Sequence, residues 1–270
     1  MQKTIETTIA SLGGRYACVV LQLDESAPGE LVSLNADLLF PAASLAKLPI
    51  LVEVARQVEA GKLSWTTRYR VTEAASVSSD GVLADLLPEL QPTLHDLAHL
   101  MIAISDNTAA NMLLDLVGMQ AVNATMLQLG LASTWLERRF IDFEARRAGR
   151  ENWTTAADMA LLLSYLCTEL LPDNERMLNM LLCQNDRTIL PAYWGEDVPF
   201  AHKTGGLPGI IHDAGILYPP HAPQVPYILV ALTSDMEDEP LTRYTLARVG
   251  DAIYNAIAQV LVPSPLDAIL

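Results

Sequence analysis

The alternation of apolar and polar residues predicts β-strands near both ends of the chain. Residues 16–23 form a short, continuously apolar run with β-branched side chains, which is typical of a buried strand. Residues 30–35 return as a second strand after a turn at 27–29. Late in the chain, two apolar runs bounded by prolines, 213–218 and 227–234, predict two antiparallel strands.

Apolar residues at helical spacing occupy most of the remaining chain. They predict an amphipathic helix within residues 1–14 and a closing helix that begins near Leu241. Between these two, helices are expected at Ser44–Glu59, Leu94–Ile104, Asn107–Val117 and Thr155–Leu170.

Strands at the two ends with helices between them predict a two-lobed, mixed α/β fold. A two-stranded hairpin is only marginally stable, so the early and late strands must join in one sheet. We therefore expect an antiparallel sheet flanked by terminal helices, in a discontinuous α/β lobe of residues 1–41 and 191–270. Residues 42–190 would form an inserted all-helical lobe. Ligand sites favour the junction of such lobes.

Composition and charge narrow the expected partners. The chain is 51% hydrophobic, and its formal net charge of −15 disfavours nucleic acid, because phosphates need a basic surface. No run is long and apolar enough for a membrane span, and the first residues lack the basic start and apolar run of an export signal. We therefore expect a cytoplasmic protein without a membrane partner. Three cysteines, Cys18, Cys167 and Cys183, lack metal-type spacing and are expected to be reduced and buried.

The first segment with candidate chemistry is Ser44-Leu45-Ala46-Lys47, at the start of a predicted helix. The spacing puts the side chains of Ser44 and Lys47 on one helix face, within reach of each other. A serine hydroxyl becomes a strong nucleophile when a base takes its proton, and a lysine acts as a base when burial or nearby positive charge lowers its pKa. The pattern alone is weak, since a helix-capping serine followed by an exposed lysine has the same spacing.

A second candidate segment is Ser105-Asp106-Asn107, a polar triplet inside the apolar stretch between two predicted helices. An ordinary helix N-cap explains such a triplet as well as a catalytic role does. In the catalytic interpretation, Ser105 passes a proton to a leaving nitrogen and Asn107 holds the amide of the substrate.

The third segment is Lys203-Thr204-Gly205-Gly206, which precedes an apolar strand. The lysine and the threonine suit a carboxylate, and the glycines let a substrate lie close to an edge strand. The backbone N–H groups of Gly206 and Ser44 would then form an oxyanion hole. The alternative is a glycine turn with an unrelated lysine.

Taken in this order, the three segments are similar to the signature of class A β-lactamases and penicillin-binding proteins. The stretches 40–51, 93–118 and 153–163 also resemble that family, so the likeness covers most of the chain. The resemblance implies a serine hydrolase that opens β-lactam amides, with water releasing the acyl-enzyme. It implies a small amide or ester substrate that carries a carboxylate, and no cofactor or metal.

The resemblance also implies a role for each motif residue. The implied roles are nucleophile for Ser44, proton acceptor for Lys47, proton shuttle for Ser105, substrate holder for Asn107, and carboxylate binders for Lys203 and Thr204.

One position departs from the family pattern. Class A enzymes carry a glutamate that activates the deacylating water, in a loop that corresponds to residues 136–153. Phe140 stands at that position and cannot act as a base. We hypothesise that Glu144 activates the water instead, with Asp142 as the second candidate. The alternative is that both only pair with arginines of the same loop.

Other enzyme classes have weaker support in the sequence. No Gly-x-Ser-x-Gly segment is present, and none of the five histidines is singled out by its pattern. His95 and His99 lie four residues apart on a predicted helix, but a third metal ligand at suitable spacing is not evident. A D-alanyl-D-alanine peptidase or an esterase on the same fold, and a sensor that stays acylated, remain open alternatives.

Overall fold

The computed structural model describes residues 1–23, 29–77, 81–87, 89–168 and 170–261. Its main sheet is antiparallel and five-stranded, in the order β2-β1-β7-β6-β5. These strands are β1 (Arg15–Gln22), β2 (Gly29–Leu34), β5 (Phe200–Leu207), β6 (Ile210–Leu217) and β7 (Tyr227–Ser234). Two short strands, β3 (Phe40–Pro41) and β4 (Trp153–Thr154), pair separately.

Strands from the two ends of the chain meet in this sheet, as the sequence predicts. The first strand, β1, lies between β2 and β7, and its residue Cys18 faces Leu34 on one side and Ala231 on the other. This arrangement confirms the mixed α/β fold. All five strands of the sheet fall within 1–41 and 191–270, while the exact limits of the two lobes stay a prediction.

The described part of the chain contains nine α-helices. They are α1 (Gln2–Ile9), α2 (Lys47–Glu59), α3 (Leu94–Ala103), α4 (Asn107–Val117), α5 (Met119–Gln128), α6 (Phe143–Arg147), α7 (Ala156–Cys167), α8 (Asn174–Leu182) and α9 (Glu239–Leu261).

Side chains at the helix ends explain where several of these helices begin. Thr93 forms a reciprocal capping box with Asp96 at the start of α3. Asp106 accepts a hydrogen bond from the N–H of Ala109 at 2.8 Å and so caps α4. Thr155 caps α7 in the same way. The polar residues before these helices therefore set their first turns.

The sheet separates two apolar cores. Along β1, Ala17 and Val19 face a core shared with the central helices, whereas Cys18 and Val20 face a second core beneath α1 and α9. Successive side chains of a strand point to opposite faces, so a strand covered on both sides is apolar throughout. This double burial explains the continuous apolar run that predicted β1.

Several elements differ from the expectations. The predicted helix at 44–59 is a 3₁₀ turn, Ala43–Ala46, followed by α2. The first helix ends at Ile9, and α7 ends at Cys167. Helices α5, α6 and α8 were not predicted. The predicted turn at 27–29 lies mostly outside the described residues.

The expectation that the cysteines are buried is wrong for Cys183. Cys18 is buried in the second core, Cys167 is half-buried, and Cys183 is exposed after the last residue of α8. All three are free thiols. A residue that follows a helix at the protein surface is exposed even where the flanking sequence is apolar. The apolar surroundings of Cys183 in the sequence therefore led to the wrong prediction.

The close approach of α9 to the chain at 190–193 gives a stability prediction. A Cβ added at Gly250 would overlap main-chain atoms of Leu190, which cannot move as a flexible side chain does. We expect Gly250→Ala to lower the free energy of unfolding by about 2 kcal/mol. Gly13→Ala is the matched control, because a Cβ there meets no atom within 4 Å. Denaturant unfolding measures both, and equal midpoints for the two variants contradict the prediction.

Candidate active site

Ser44 lies in the 3₁₀ turn Ala43–Ala46, between the sheet and the helices. The turn is strained, because Ala43 adopts a left-handed backbone conformation with φ of 47°. Such a conformation persists only where its surroundings hold it. The N–H of Ala42 donates to the carbonyl of Asn152 at 2.7 Å, and the N–H of Leu45 donates to the carbonyl of Ala42 at 3.0 Å. These bonds fix the turn that presents the Ser44 hydroxyl.

Lys47 lies at the first turn of α2 and is completely buried. Its Nζ lies 3.3 Å from Ser44 Oγ and 2.9 Å from Ser105 Oγ. It also donates to the carbonyl of Ser105 at 2.6 Å and to Asn107 Oδ1 at 2.8 Å. The first two candidate segments, 58 residues apart in sequence, therefore meet at one amine.

The partners of this amine suit a proton acceptor. The Ser105 carbonyl and the Asn107 amide oxygen can only accept hydrogen bonds, whereas the hydroxyls of Ser44 and Ser105 can also donate. A neutral amine satisfies the two acceptors with its two hydrogens. Its one lone pair is then left to accept from a hydroxyl, either Ser44 Oγ at 3.3 Å or Ser105 Oγ at 2.9 Å.

Ser105 connects this amine to a second buried lysine. Lys203 Nζ lies 3.1 Å from Ser105 Oγ and donates to the carbonyl of Thr204 at 2.9 Å. Ser105 has a left-handed backbone with φ of 59°, which turns its hydroxyl between the two lysines. Asp106 holds this junction by accepting from the N–H groups of Val82 and Leu83, each at 2.8 Å.

The third segment forms the edge strand β5, and Gly205 passes directly beside the nucleophile turn. A Cβ at Gly205 would lie 3.3 Å from Ser44 N and 3.4 Å from the Cβ of Ala43. This spacing is tight, so glycine permits the strand and the turn to approach each other. Gly206 is exposed, and a Cβ there would meet only the carbonyl oxygen of Ile210, at 4.0 Å. Its unobstructed edge position leaves room for a ligand along β5.

These segments border one cleft of about 710 Å³, a size that suits a small molecule. Its polar wall contains Ser44, Ser105, Asn107, Asn152, Thr204, Gly205, Gly206 and Arg243. Its apolar wall contains Ile104, Phe140, Ile141, Phe143 and Ile189. The fully buried amines of Lys47 and Lys203 lie beneath the hydroxyls of this cleft.

Phe140 closes the cleft on the side where the family resemblance leads one to expect a glutamate. Its ring centroid lies 4.9 Å from Lys47 Nζ, and the side chain is buried. Its main chain pairs with the Asn111 side chain, which donates to the Phe140 carbonyl at 3.2 Å and accepts from its N–H at 2.9 Å. An apolar ring therefore occupies the space above the amine.

A buried ion pair fixes the loop that carries Phe140. Arg138 Nη2 lies 2.6 Å from Glu151 Oε1, and Arg146 Nε lies 2.9 Å from Glu151 Oε2. Both members of the first pair are almost completely buried, so removing either would leave a charge without its partner. Glu151 is thus committed to holding the loop together.

The structure does not bring Glu144 to the cleft. Glu144 is exposed on α6 and is not among the cleft residues. Asp142 accepts from the N–H of Ala145 at 2.8 Å and so caps α6. Neither residue forms an ion pair with an arginine of this loop within the described chain. The geometry gives no support to the hypothesis that Glu144 activates water.

His212 is a buried residue behind the nucleophile turn that the sequence did not single out. Its Nε2 lies 2.8 Å from the carbonyl of Pro41, and its Nδ1 lies 3.1 Å from the N–H of Thr233. A carbonyl only accepts and an N–H only donates, so the ring is neutral with its proton on Nε2. Burial lowers the pKa of His212 to about 4, in agreement with that state.

Sequence reasoning also missed Arg243 and Asp186 at the mouth of the cleft. Arg243 Nη1 lies 3.2 Å from Asp186 Oδ2 and 2.8 Å from Thr188 Oγ1. Arg243 is the fifth residue of α9 and follows Lys203 by 40 residues, and no local pattern connects the two. Only the packing of α9 against the chain at 190–194 brings this guanidinium to the site: Trp194 Nε1 donates to the carbonyl of Gly250 at 3.1 Å.

The rings of His95 and His99 lie 6.1 Å apart on α3 and border a different pocket from the cleft that contains Ser44. Among the described residues, no group of three or more histidines, cysteines or carboxylates is suited to a metal ion. Within the same residues, no helix combines the length and apolarity that crossing a membrane requires.

Comparison with known proteins agrees with this geometry. The family model described as "Beta-lactamase enzyme family" matches residues 1–257. The chain belongs to the β-lactamase enzyme family. It is 31% identical over 249 residues to a β-lactamase of Streptomyces lavendulae, covering 85% of this chain and 79% of that protein. The predicted family and the predicted enzyme class, a β-lactamase-like serine hydrolase, are confirmed.

Solved structures of this family superimpose over nearly the whole chain. A β-lactamase from Sphaerobacter thermophilus matches with a TM-score of 0.84 and 30% identity, covering 97% of this chain and 96% of that one. A point mutant of PBP-A, in an acyl-enzyme complex with penicillin G, matches with a TM-score of 0.85 and 27% identity. That match covers 96% of both chains.

The neutral His212 predicts a loss of stability in acid. In the unfolded chain its pKa returns to about 6.5, so the unfolded state binds more protons than the folded state between pH 6.5 and 4. The contribution of His212 to stability is therefore complete above pH 6.5 and declines as the pH falls towards 4. We therefore expect the titration of His212 to lower the free energy of unfolding by about 2 kcal/mol when the pH falls from 7 to 4.5.

Denaturant unfolding of the wild type and of His212→Gln at pH 7 and pH 4.5 measures this contribution. The variant lacks the titrating ring, so its loss of stability over this range should be smaller. An identical loss in both proteins contradicts the prediction.

Proposed function

We propose that this enzyme opens β-lactam amides by acylation of Ser44. The proposal is supported by a continuous series of polar contacts. Ser44 Oγ lies 3.3 Å from Lys47 Nζ, Lys47 Nζ lies 2.9 Å from Ser105 Oγ, and Ser105 Oγ lies 3.1 Å from Lys203 Nζ. Lys47 takes the proton of the attacking hydroxyl, and Ser105 returns a proton to the leaving nitrogen. No metal or cofactor takes part in this proposal.

The proposed contacts to substrate follow the polar wall of the cleft. The N–H groups of Ser44 and Gly206 bind the oxyanion, and Asn107 holds the amide of the acyl side chain. Lys203, Thr204 and Arg243 favour a substrate that carries a carboxylate, although the chain as a whole has a net charge of −15. A few cations inside a cleft are sufficient to reverse the local sign.

We further propose that release of the acyl group is slow. Phe140 fills the position above Lys47, and an apolar ring neither binds nor activates water. Among the described residues of the cleft, the carboxylates are Asp186 and Glu239. Asp186 pairs with Arg243, and Glu239 accepts from the N–H of Gly209 at 2.9 Å. Neither carboxylate lies beside the Ser44–Lys47 pair in this arrangement.

A second candidate function uses the same acylation chemistry on a peptide. The phenylalanine at position 140 favours a protein that releases its penicillin adduct slowly, such as a D-alanyl-D-alanine peptidase, which turns over its own peptide, or a penicillin sensor. The chain is also similar to PBP-A, and a point mutant of PBP-A has been solved as an acyl-enzyme complex with penicillin G. The lifetime of the adduct separates this candidate from an efficient β-lactamase.

Acylation is tested by intact-mass spectrometry with benzylpenicillin. We expect the wild type to gain the mass of one benzylpenicillin within minutes and Ser44→Ala to gain none, because the alanine lacks the attacking hydroxyl. Peptide mapping should place the adduct on Ser44. Labelling of the Ser44→Ala variant, or an unlabelled wild type under a range of β-lactams and activated esters, contradicts the proposal.

The slow release is tested by substituting Phe140. We expect Phe140→Glu to shorten the lifetime of the adduct by about tenfold or more, because a carboxylate placed there acts as a general base for water. Glu144→Gln should leave the lifetime unchanged, since Glu144 is exposed outside the cleft.

Loss of the adduct is followed by mass after excess penicillin has been removed. Phe140→Leu is the matched control that opens space without adding a base. A lifetime equally short in the leucine and glutamate variants would show that access of water, and not a missing base, limits release. Longer-lived adducts in Glu144→Gln would restore Glu144 as the water-activating residue.

A further inference from the structure

We propose that His212 is a positioning residue for the nucleophile. Its Nε2–H holds the carbonyl of Pro41 and thereby places the Ser44 hydroxyl for attack. The inference rests on the proposed acylation of Ser44. It adds a residue of β6 that touches neither the reacting atoms nor the substrate in that proposal.

The ring of His212 takes the place of a main-chain partner where two strands separate. The regular pairing of β6 with β7 ends at Asp213 and Ala231. Beyond it, the N–H of Thr233 donates to His212 Nδ1 at 3.1 Å, and the hydroxyl of Thr233 donates to the carbonyl of Ile211 at 2.7 Å. Side chains thus complete the hydrogen bonds at this point, and the ring is held in one orientation.

From this fixed position the ring reaches across to the segment before the nucleophile. Nε2 donates to the carbonyl of Pro41 at 2.8 Å, and the ring packs edge-on against Phe40 at a centroid distance of 6.2 Å. Pro41 has no N–H, so its carbonyl is the one conventional hydrogen-bonding group of its main chain. The contact connects β6 to β3, and Ser44 follows Pro41 by three residues.

The nucleophile turn needs such a support because it is strained. Ala43 is left-handed, and this conformation relaxes unless the residues on both sides are held. On the same side, the register places Gly205 opposite His212, and a Cβ at Gly205 would be 3.4 Å from the Cβ of His212. His212, Gly205 and the turn therefore form three successive layers. A shift of the Pro41 carbonyl moves Ser44 relative to Gly206, its proposed partner in the oxyanion hole.

Two substitutions separate the two bonds of the ring. The amide of glutamine extends as far as Nε2, so His212→Gln retains a donor to the Pro41 carbonyl and loses the acceptor for Thr233. The amide of asparagine extends only as far as Nδ1, so His212→Asn retains the acceptor for Thr233 and loses the donor to Pro41. Each variant loses one hydrogen bond and the buried ring. In hydrogen bonding, the two variants therefore differ only in which bond is lost.

The measurement is the second-order rate of Ser44 acylation by benzylpenicillin, followed by intact mass at pH 7, with the melting temperature of each variant. We expect His212→Asn to be acylated about tenfold or more slowly than His212→Gln, because a small displacement of a reacting group is costly in rate. Both variants should melt at similar, lowered temperatures. Ile5→Ala is the control for lost stability, since Ile5 is buried in the core on the far side of the sheet.

Similar acylation rates for the asparagine and glutamine variants overturn the inference, as does slowed acylation of Ile5→Ala. Failure of either His212 variant to fold also overturns it, because His212 would then be a requirement of the fold and not a positioning residue. A wild type that is never acylated contradicts the proposed function instead. The two failures are therefore distinguishable in one experiment.

Discussion

The hydrogen bonds of one buried amine hold the site together. Lys47 Nζ joins the nucleophile turn to the junction of α3 and α4, and Ser105 Oγ extends the connection to β5 through Lys203. A buried amine without polar partners would be very unfavourable, so the fold cannot move these segments apart without a large free-energy cost. Because the hydrogen bonds of Lys47 must be kept, the site residues and the helices that carry them stay in one fixed arrangement.

The elements with a strong local pattern could be predicted from sequence. A strand buried on both faces, such as β1, is apolar throughout, and a polar triplet such as 105–107 interrupts an otherwise apolar helix. The motif residues were found because their order is specific, although each segment alone is ordinary. The structure then connects Ser44 to Lys47, Lys47 to Ser105 and Ser105 to Lys203, each pair at hydrogen-bonding distance.

The site residues that could not be predicted from the sequence are those placed by tertiary contacts. Glu144 was chosen by counting along a loop, but Asp142 begins a helical turn that exposes it. His212 and Arg243 have no local signature, since their partners are the carbonyl of Pro41 and the carboxylate of Asp186. Neither pairing can be inferred from spacing, because each joins segments more than 50 residues apart.

The sheet also has a consequence for how the chain is synthesised and folds. Its first strand, β1, lies between β2 and β7, so residues 15–22 lack one of their two neighbours until residue 234 has been made. Pairings this distant in sequence close slowly, because the loop entropy must be lost before the contacts form. During translation the apolar edge of β1 is therefore exposed for most of the synthesis. An unpaired apolar edge can pair with other chains, so this topology makes the nascent chain prone to aggregation until β7 has been made.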